Sequence, residues 1–380
     1  MSMTHVFPTY ERFPFEPISG NGVVITDNNG QDYLDFTSGI GVCSLGYQNT
    51  KVQNAVQVQL TKLWHISNLY ENHLQESVAS LLVGDEDKMV FFANSGTEAN
   101  EAALKLARKA TGKTQVLSFH HSFHGRTYGS MSMTGNPGVQ AGYAPLVPDI
   151  SFADYNDDAS LAAITDDLAA VILEVIQGEG GVIVGDQDWL HKVQDKCQAT
   201  HTLLIIDEVQ TGIGRTGYKF AYQGFGLDPD IVTSAKALAN GLPVGAMIGK
   251  SKLGAAFGPG SHGSTFAGNP LTMAAAEAVL TQLTPSFLEQ VQTKSAVIWD
   301  TLNKFDSLDA VKSVSGKGFM VGIHLAEAVP VNSVIQELQK KGLLTLSAVG
   351  NTLRLLPPLV MSEDDLSSGL QTIYETLSEK

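Results

Sequence analysis

Six short, nearly unbroken apolar runs follow one another through the middle of the chain: KMVFFA (88–93), QVLSF (115–119), AAVILEV (169–175), TLLIIDEV (202–209), DIVTSA (230–235) and GAMIG (245–249). A strand with one wet face alternates apolar and polar residues. These runs do not, so they belong to strands buried on both faces. Helical patterns, such as Thr97–Thr111 and Asp188–Ala199, separate several of them. Together they predict an α/β fold with a mostly parallel sheet covered by helices on both sides.

At 380 residues the chain exceeds one small core, and roughly 100–200 residues per domain predicts two or three units. Residues 50–275 read as a large α/β domain and 276–304 as a linking helix after Pro270. Residues 305–380 read as a small α+β domain: strand GFMVGIHL, helix VNSVIQELQKKG, strand TLRLL and a last helix capped by Ser362 with Asp365. The N-terminal segment, 1–49, is expected to pack with the small domain. It carries a hairpin, GVVITDNNGQDYLDF, around a two-residue Asn29-Gly30 turn. A polar amphipathic helix follows at about 49–61.

The formal charge of −15 argues against nucleic acid and anionic membranes as partners, so an anionic ligand needs local positive groups. The two cysteines, Cys43 and Cys197, provide no disulfide framework and fit a reducing cytoplasm. No signal peptide opens the sequence, and no run approaches about 18 consecutive apolar residues.

Some motifs fail on inspection. Gly212-Ile213-Gly214-Arg215-Thr216-Gly217 matches G-x-G-x-x-G, but the following YKFAYQGFG has no helical period, and a dinucleotide site needs a helix there. Gly112-Lys113-Thr114 resembles the end of a P-loop, but Ala107 stands where its first glycine belongs. His120, His121 and His124 lack nearby cysteine or carboxylate support, so they read as surface or cofactor-edge histidines and no metal is expected.

Four features carry chemistry together. Ser95-Gly96-Thr97 opens a helix, where free N–H groups and the helix dipole favour an anion; alone it is equally an ordinary cap. Asp207 ends a buried strand, placed to cap a helix or to pair with a protonated pyridine nitrogen. Gln210 and Val209 follow within reach of a ring hydroxyl and a ring face. Lys236 follows another apolar strand; it is either a snorkelling lysine or a desolvated amine able to attack an aldehyde. HGSTFAGNP (262–270) offers Ser264 and Thr265 to a phosphate, or is a plain loop. Jointly they supply a phosphate grip, a pyridinium partner and a Schiff-base lysine.

The ordered set SGTEAN, SFHGR, QGEGG, DEVQTGIGRTG, AKALANGLPVGA and HGSTFAGNP resembles the class III (ornithine-type) aminotransferases of fold type I, across nearly the whole chain. The 29-residue spacing from Asp207 to Lys236 agrees. The resemblance implies pyridoxal 5′-phosphate (PLP) as cofactor and a two-domain homodimer with active sites at the subunit interface. It gives Lys236 the covalent link to the cofactor and Asp207 the ring nitrogen. It gives Gly96 and Thr97 the phosphate, with Thr265 joining from the neighbouring subunit, and it places Phe123 on the ring. Arg126 is implied to bind a substrate carboxylate, and Glu179 with Arg354 to form a specificity switch.

Segments LWHISNLY (63–70) and YLDFTSGIGV (33–42) look most like members acting on N2-acetyl-L-ornithine, with 2-oxoglutarate and L-glutamate as the second pair. Other readings are transfer from ornithine, succinylornithine or 4-aminobutyrate, a PLP aminomutase, and a PLP-binding regulator without turnover. Three places depart from the family pattern: Gly46-Tyr47-Gln48-Asn49-Thr50 replaces Gly-His-x-His-Pro, Val175 stands for proline, and Ser315 stands for arginine.

Overall fold

The computed structural model describes residues 5–380; the first four residues of the N-terminal segment lie outside it. A seven-stranded sheet forms the centre, in the spatial order Lys88–Ala93, Gly245–Lys250, Ile231–Ser234, Leu203–Asp207, Leu168–Leu173, Gln115–Phe119 and Ile150–Ala153. Gly245–Lys250 runs against both its neighbours and every other pairing is parallel, so six strands point one way. The apolar runs predicted six of these strands within two residues at each end. The seventh, Ile150–Ala153, sits at the edge, half exposed and too short to form an apolar run.

Helix Gly96–Thr111 lies on this sheet. Ser95 caps it by accepting from Glu98 N–H, and its buried face is largely alanine with Leu104 and Leu106, which lets the helix approach the strands closely. Gly112, in left-handed conformation, ends it, so the P-loop-like Gly-Lys-Thr is a helix C-cap. The Gly212–Gly217 loop opens no long helix; the next one, Ala221–Gly224, is a single turn.

Two four-stranded sheets lie outside the central one. Val311–Lys317, Met320–Leu325, Thr352–Leu355 and Leu346–Ala348 pair antiparallel throughout. The N-terminal strands Pro17–Asn21, Val24–Asp27 and Asp32–Asp35 take Leu343–Leu344 as their fourth, joining the start of the chain to its end. Phe36 is buried with Phe319, Leu353 and Leu366, and Gly369 makes room for its ring: a Cβ there would lie 2.3 Å from it. The Asn29-Gly30 turn is longer than predicted. Asp27 N–H bonds Gln31 O across three residues, Gly30 takes the left-handed conformation, and the Asp27 carboxylate accepts from Asn29 and Gln31 N–H.

The departures from the family pattern have local reasons. Tyr47 donates to Asp35 at 2.7 Å and packs on Gly20, Asn49 caps helix Thr50–Leu60, and Val175 is wholly buried. Among the described residues no helix is long and apolar enough to cross a membrane.

Arg215, from the glycine-rich loop, joins these parts. It is 1% exposed and has no carboxylate in contact among the described residues; it donates to the carbonyls of Phe319 and Pro357 and to the hydroxyls of Ser38 and Ser44. Burial pulls its pKa down to about 9, still cationic at neutral pH. The guanidinium's two NH2 groups reach acceptors spread over both chain segments, which a single ammonium nitrogen does not match. Arg215→Lys should therefore cost about 2–4 kcal/mol, read as a lower denaturant midpoint of the apoprotein.

Candidate active site

Six strands running one way bring their C-terminal ends to one edge of the sheet, where open α/β sheets bind ligands. Residues at or just past five of those ends line one cavity of about 380 Å³: Ser95, Gly96 and Thr97 after Ala93, Phe123 to Arg126 after Phe119, Glu174 and Glu179 after Leu173, Asp207 with Val209 and Gln210, and Lys236 after Ser234. The antiparallel strand begins at the same edge and contributes 241–244 from its approach. Ten of the thirteen residues expected from sequence line this cavity. Arg354 stands just behind it, bonded to Glu179, while Ser264 and Thr265 line a separate, larger space.

Asp207 is 3% exposed and surrounded by donors. Its Oδ2 accepts from Asn100 Nδ2 at 2.8 Å and lies 2.8 Å from His124 Nδ1; its Oδ1 accepts from Val209 N–H at 2.9 Å. Asn100 is oriented in turn by Thr233, which donates to its Oδ1, and by the His124 carbonyl. His124 Nε2 is buried with no partner. Of the three histidines, then, His124 is buried against the site, whereas His120 and His121 are exposed.

Lys236 takes φ +43° directly after the strand, a left-handed backbone that costs a non-glycine residue about 1–2 kcal/mol. Its Nζ has no hydrogen-bonding partner among the described residues. Burial lowers its pKa, against the attraction of Glu179, Asp207 and Glu174. The result is an amine with weakened hold on its proton, as a nucleophile requires.

At the helix start, a Cβ on Gly96 would lie 2.7 Å from Val209, and one on Gly125 would lie 2.2 Å from Thr97 Oγ1. Thr97 Oγ1 also receives the N–H groups of Arg126 and Thr127, both at 3.2 Å, which ties the 123–127 loop to the helix N-terminus. Glu174, unnoticed in the sequence, is buried. One carboxylate oxygen accepts from Phe123 N–H at 3.0 Å and the other from Gly178 N–H at 3.4 Å, linking the loops of Phe123 and Glu179. Burial pushes its pKa up to about 7, with His124 opposing and Asp207 adding to the rise.

The two arginines are treated differently. Arg354 is 3% exposed; its Nη1 lies 2.6 Å from Glu179 Oε1 and 3.4 Å from Gln210 Oε1. Gln210 Nε2 donates to Glu179 at 3.2 Å. Burial would raise the Glu179 carboxyl, but the Arg354 guanidinium outweighs it and the pKa falls below the usual carboxylate range. Arg126 is exposed and meets only the Phe123 ring, 5.8 Å from its centroid, with no ion-pair partner among the described residues. Ser264 and Thr265 line a space of about 1410 Å³ with His65 and Tyr70; Asn94 Nδ2 donates to Ser264 Oγ at 2.8 Å and connects the two cavities.

The arrangement fits PLP. A long helix presents its N-terminus to an anion where Gly96 and Gly125 allow close packing of Val209 and Thr97. A buried carboxylate suits a cationic ring nitrogen, and an unpaired amine lines the same cavity.

The comparisons agree. The family model for aminotransferase class-III matches residues 8–377. An acetylornithine aminotransferase of Lactiplantibacillus plantarum is 64% identical over 379 residues, spanning 100% of this chain and 97% of its own. Among solved structures, the ornithine aminotransferase of Toxoplasma gondii superposes with TM-score 0.93 at 29% identity, covering 98% of this chain and 92% of its own. An N-acetylornithine aminotransferase from Stenotrophomonas maltophilia does so with TM-score 0.83 at 31% identity, covering 97% of each. With its cavity and nearly its full length both in agreement, the chain belongs to the class-III aminotransferases.

Proposed function

We propose that the protein transfers the ω-amino group of N2-acetyl-L-ornithine to 2-oxoglutarate, giving N-acetyl-L-glutamate 5-semialdehyde and L-glutamate. It would act as a cytoplasmic homodimer in arginine biosynthesis. The substrate assignment is supported by similarity to acetylornithine aminotransferases. The observation that carries it is the ion pair: Arg354, behind the cavity, is paired with Glu179 on its lining, while Arg126 lines the cavity without an ion-pair partner among the described residues.

In this reading Lys236 would hold PLP covalently, and Ser95, Gly96 and Thr97 would hold its phosphate, with Ser264 and Thr265 joining, Thr265 from the neighbouring subunit. Asp207 would serve the ring nitrogen, Gln210 the ring hydroxyl, and Phe123 and Val209 the ring faces. When bound, the cofactor supplies an electron sink for the pair left by a departing proton. Asp207, held by Asn100, Val209 and His124, would keep a proton at the ring nitrogen. Lys236 Nζ takes the proton from the amine-bearing carbon and delivers one back.

Arg126 binds the α-carboxylate of N2-acetyl-L-ornithine, which directs the distal amine inward; its guanidinium fork suits that group. Glu179 meanwhile neutralises Arg354, so no second carboxylate is drawn in. With 2-oxoglutarate or glutamate, Glu179 swings away. Arg354 then takes the α-carboxylate and Arg126 the distal one.

A panel of ω-amines with 2-oxoglutarate, read by loss and recovery of cofactor absorbance, tests this. N2-acetyl-L-ornithine should give the highest kcat/KM; turnover without any keto acid would instead indicate a mutase. Lys236→Ala should abolish turnover, and retained activity would refute its role. Glu179→Ala should lower kcat/KM for N2-acetyl-L-ornithine relative to L-glutamate by about ten- to a hundredfold, the effect of exposing a buried charge. Because the folded pKa of Glu179 is depressed, the pair is intact above the ordinary carboxylate pKa. It is lost only as pH falls through that lower value, so this preference should persist through mildly acidic pH until the protein itself fails.

Gly96→Ala should push Val209 aside and weaken PLP retention at least tenfold in equilibrium dialysis. Unchanged retention would remove Gly96 from the cradle.

A further inference from the structure

Glu179 sits in a loop that the cavity does not hold alone. This loop is also bonded to a polar cluster on the antiparallel sheet: Ser315, His324 and Thr352, from three adjacent strands. Ser315 Oγ lies 2.7 Å from Val182 O and 2.7 Å from His324 Nε2. Thr352 Oγ1 lies 2.9 Å from Val349 O and 3.0 Å from His324 Nδ1. Val349 N–H in turn donates to Glu179 O at 3.1 Å. The imidazole thus stands between the two chain segments that flank Glu179.

Proton counting makes this cluster more than packing. Carbonyls only accept, and a hydroxyl has one proton. With both hydroxyls pointed at their carbonyls, both ring nitrogens must donate, and only the imidazolium does so. With a neutral ring, one hydroxyl must turn to the ring and release either Val182 O or Val349 O. Gly322 and Gly181 enforce the close fit: a Cβ on Gly322 would lie 2.8 Å from the Val182 side chain, and one on Gly181 would lie 3.1 Å from Val349 O.

We propose that His324 is a positioning residue for substrate selection, seating the Glu179 loop over Arg354 through Ser315 and Thr352. The proposal rests on the reading of Glu179 and Arg354 as the selector. It also gives a local purpose to Ser315, the residue standing where the family commonly has arginine. The charged side chains on the elements bonded to this strand are Lys312 and Lys317 on one neighbour, Arg354 on the other and Glu179 in the loop. None of them acts appreciably on His324; half-burial alone lowers its pKa. The seat is therefore complete below that pKa and one bond short above it.

The test uses the PLP-loaded enzyme and three variants: His324→Leu, the milder Ser315→Ala, and His324→Asn, which restores one donor. The first two should lower the kcat/KM ratio of N2-acetyl-L-ornithine over L-glutamate by about three- to tenfold, through KM and with kcat nearly unchanged, and His324→Asn should fall between. In wild type this ratio should rise as pH falls through the His324 pKa, and in His324→Leu that step should vanish. Amide exchange at Val349, which does not depend on turnover, should quicken in both variants. A folded His324→Leu enzyme with wild-type ratio, or wild-type exchange at Val349, overturns the proposal. Glu179→Ala separates the two ideas: if that change leaves the ratio intact, the selector reading fails, and Val349 exchange alone then decides whether His324 seats the loop.

Discussion

The site depends on one register. Asp207 pairs with Thr233 on the parallel neighbouring strand, so the carboxylate that ends one strand and the amine two residues past the end of the next line the same cavity. Thr233 also orients Asn100, which holds Asp207. A carboxylate buried to this degree would cost several kcal/mol without partners, and here it has three donors around it. A register slip of one residue would turn Asp207 to the other face of the sheet. Strand pairing, helix placement and the His124 loop all converge on keeping that ion in place.

Charge is then distributed locally, against the global balance. The chain carries −15 overall, yet four positive groups matter here and each is handled in its own way. Lys236 is desolvated and has no hydrogen-bonding partner among the described residues. Arg354 is buried and paired with Glu179. Arg126 is exposed and faces only an aromatic ring, and Arg215 is wholly buried among carbonyls and hydroxyls, where it clamps the N-terminal segment and the C-terminal sheet to the central one. Burial, pairing and exposure, more than residue type, distinguish these roles.

The sequence revealed the parts of this design that depend on neighbours in the chain. Apolar runs located six strands because burial on both faces leaves a continuous signature, whereas the edge strand Ile150–Ala153 left none. Lys236 and Asp207 were visible because charge at the end of such a run is rare. Ser362 and Ser95 were visible because capping acts over three residues. The contributions of Glu174, Asn100 and His124 were hidden, since each has a partner 24 to 107 positions away. The E of AAVILEV could have been noticed as a carboxylate ending a buried strand, by the same reasoning that found Asp207. The Asn29-Gly30 turn was misjudged in length because the Asp27 carboxylate holds a wider loop than the dipeptide alone prefers.

The protonation state of the cofactor ring nitrogen is the most direct measure of whether this buried carboxylate governs the chemistry. Nitrogen NMR of enzyme loaded with ¹⁵N-labelled PLP reads it without reference to substrate. The account predicts a protonated ring nitrogen in wild type across neutral pH and a neutral one in Asp207→Asn, with turnover falling by orders of magnitude. A neutral ring nitrogen in the wild-type enzyme, or one unchanged by the substitution, would contradict it.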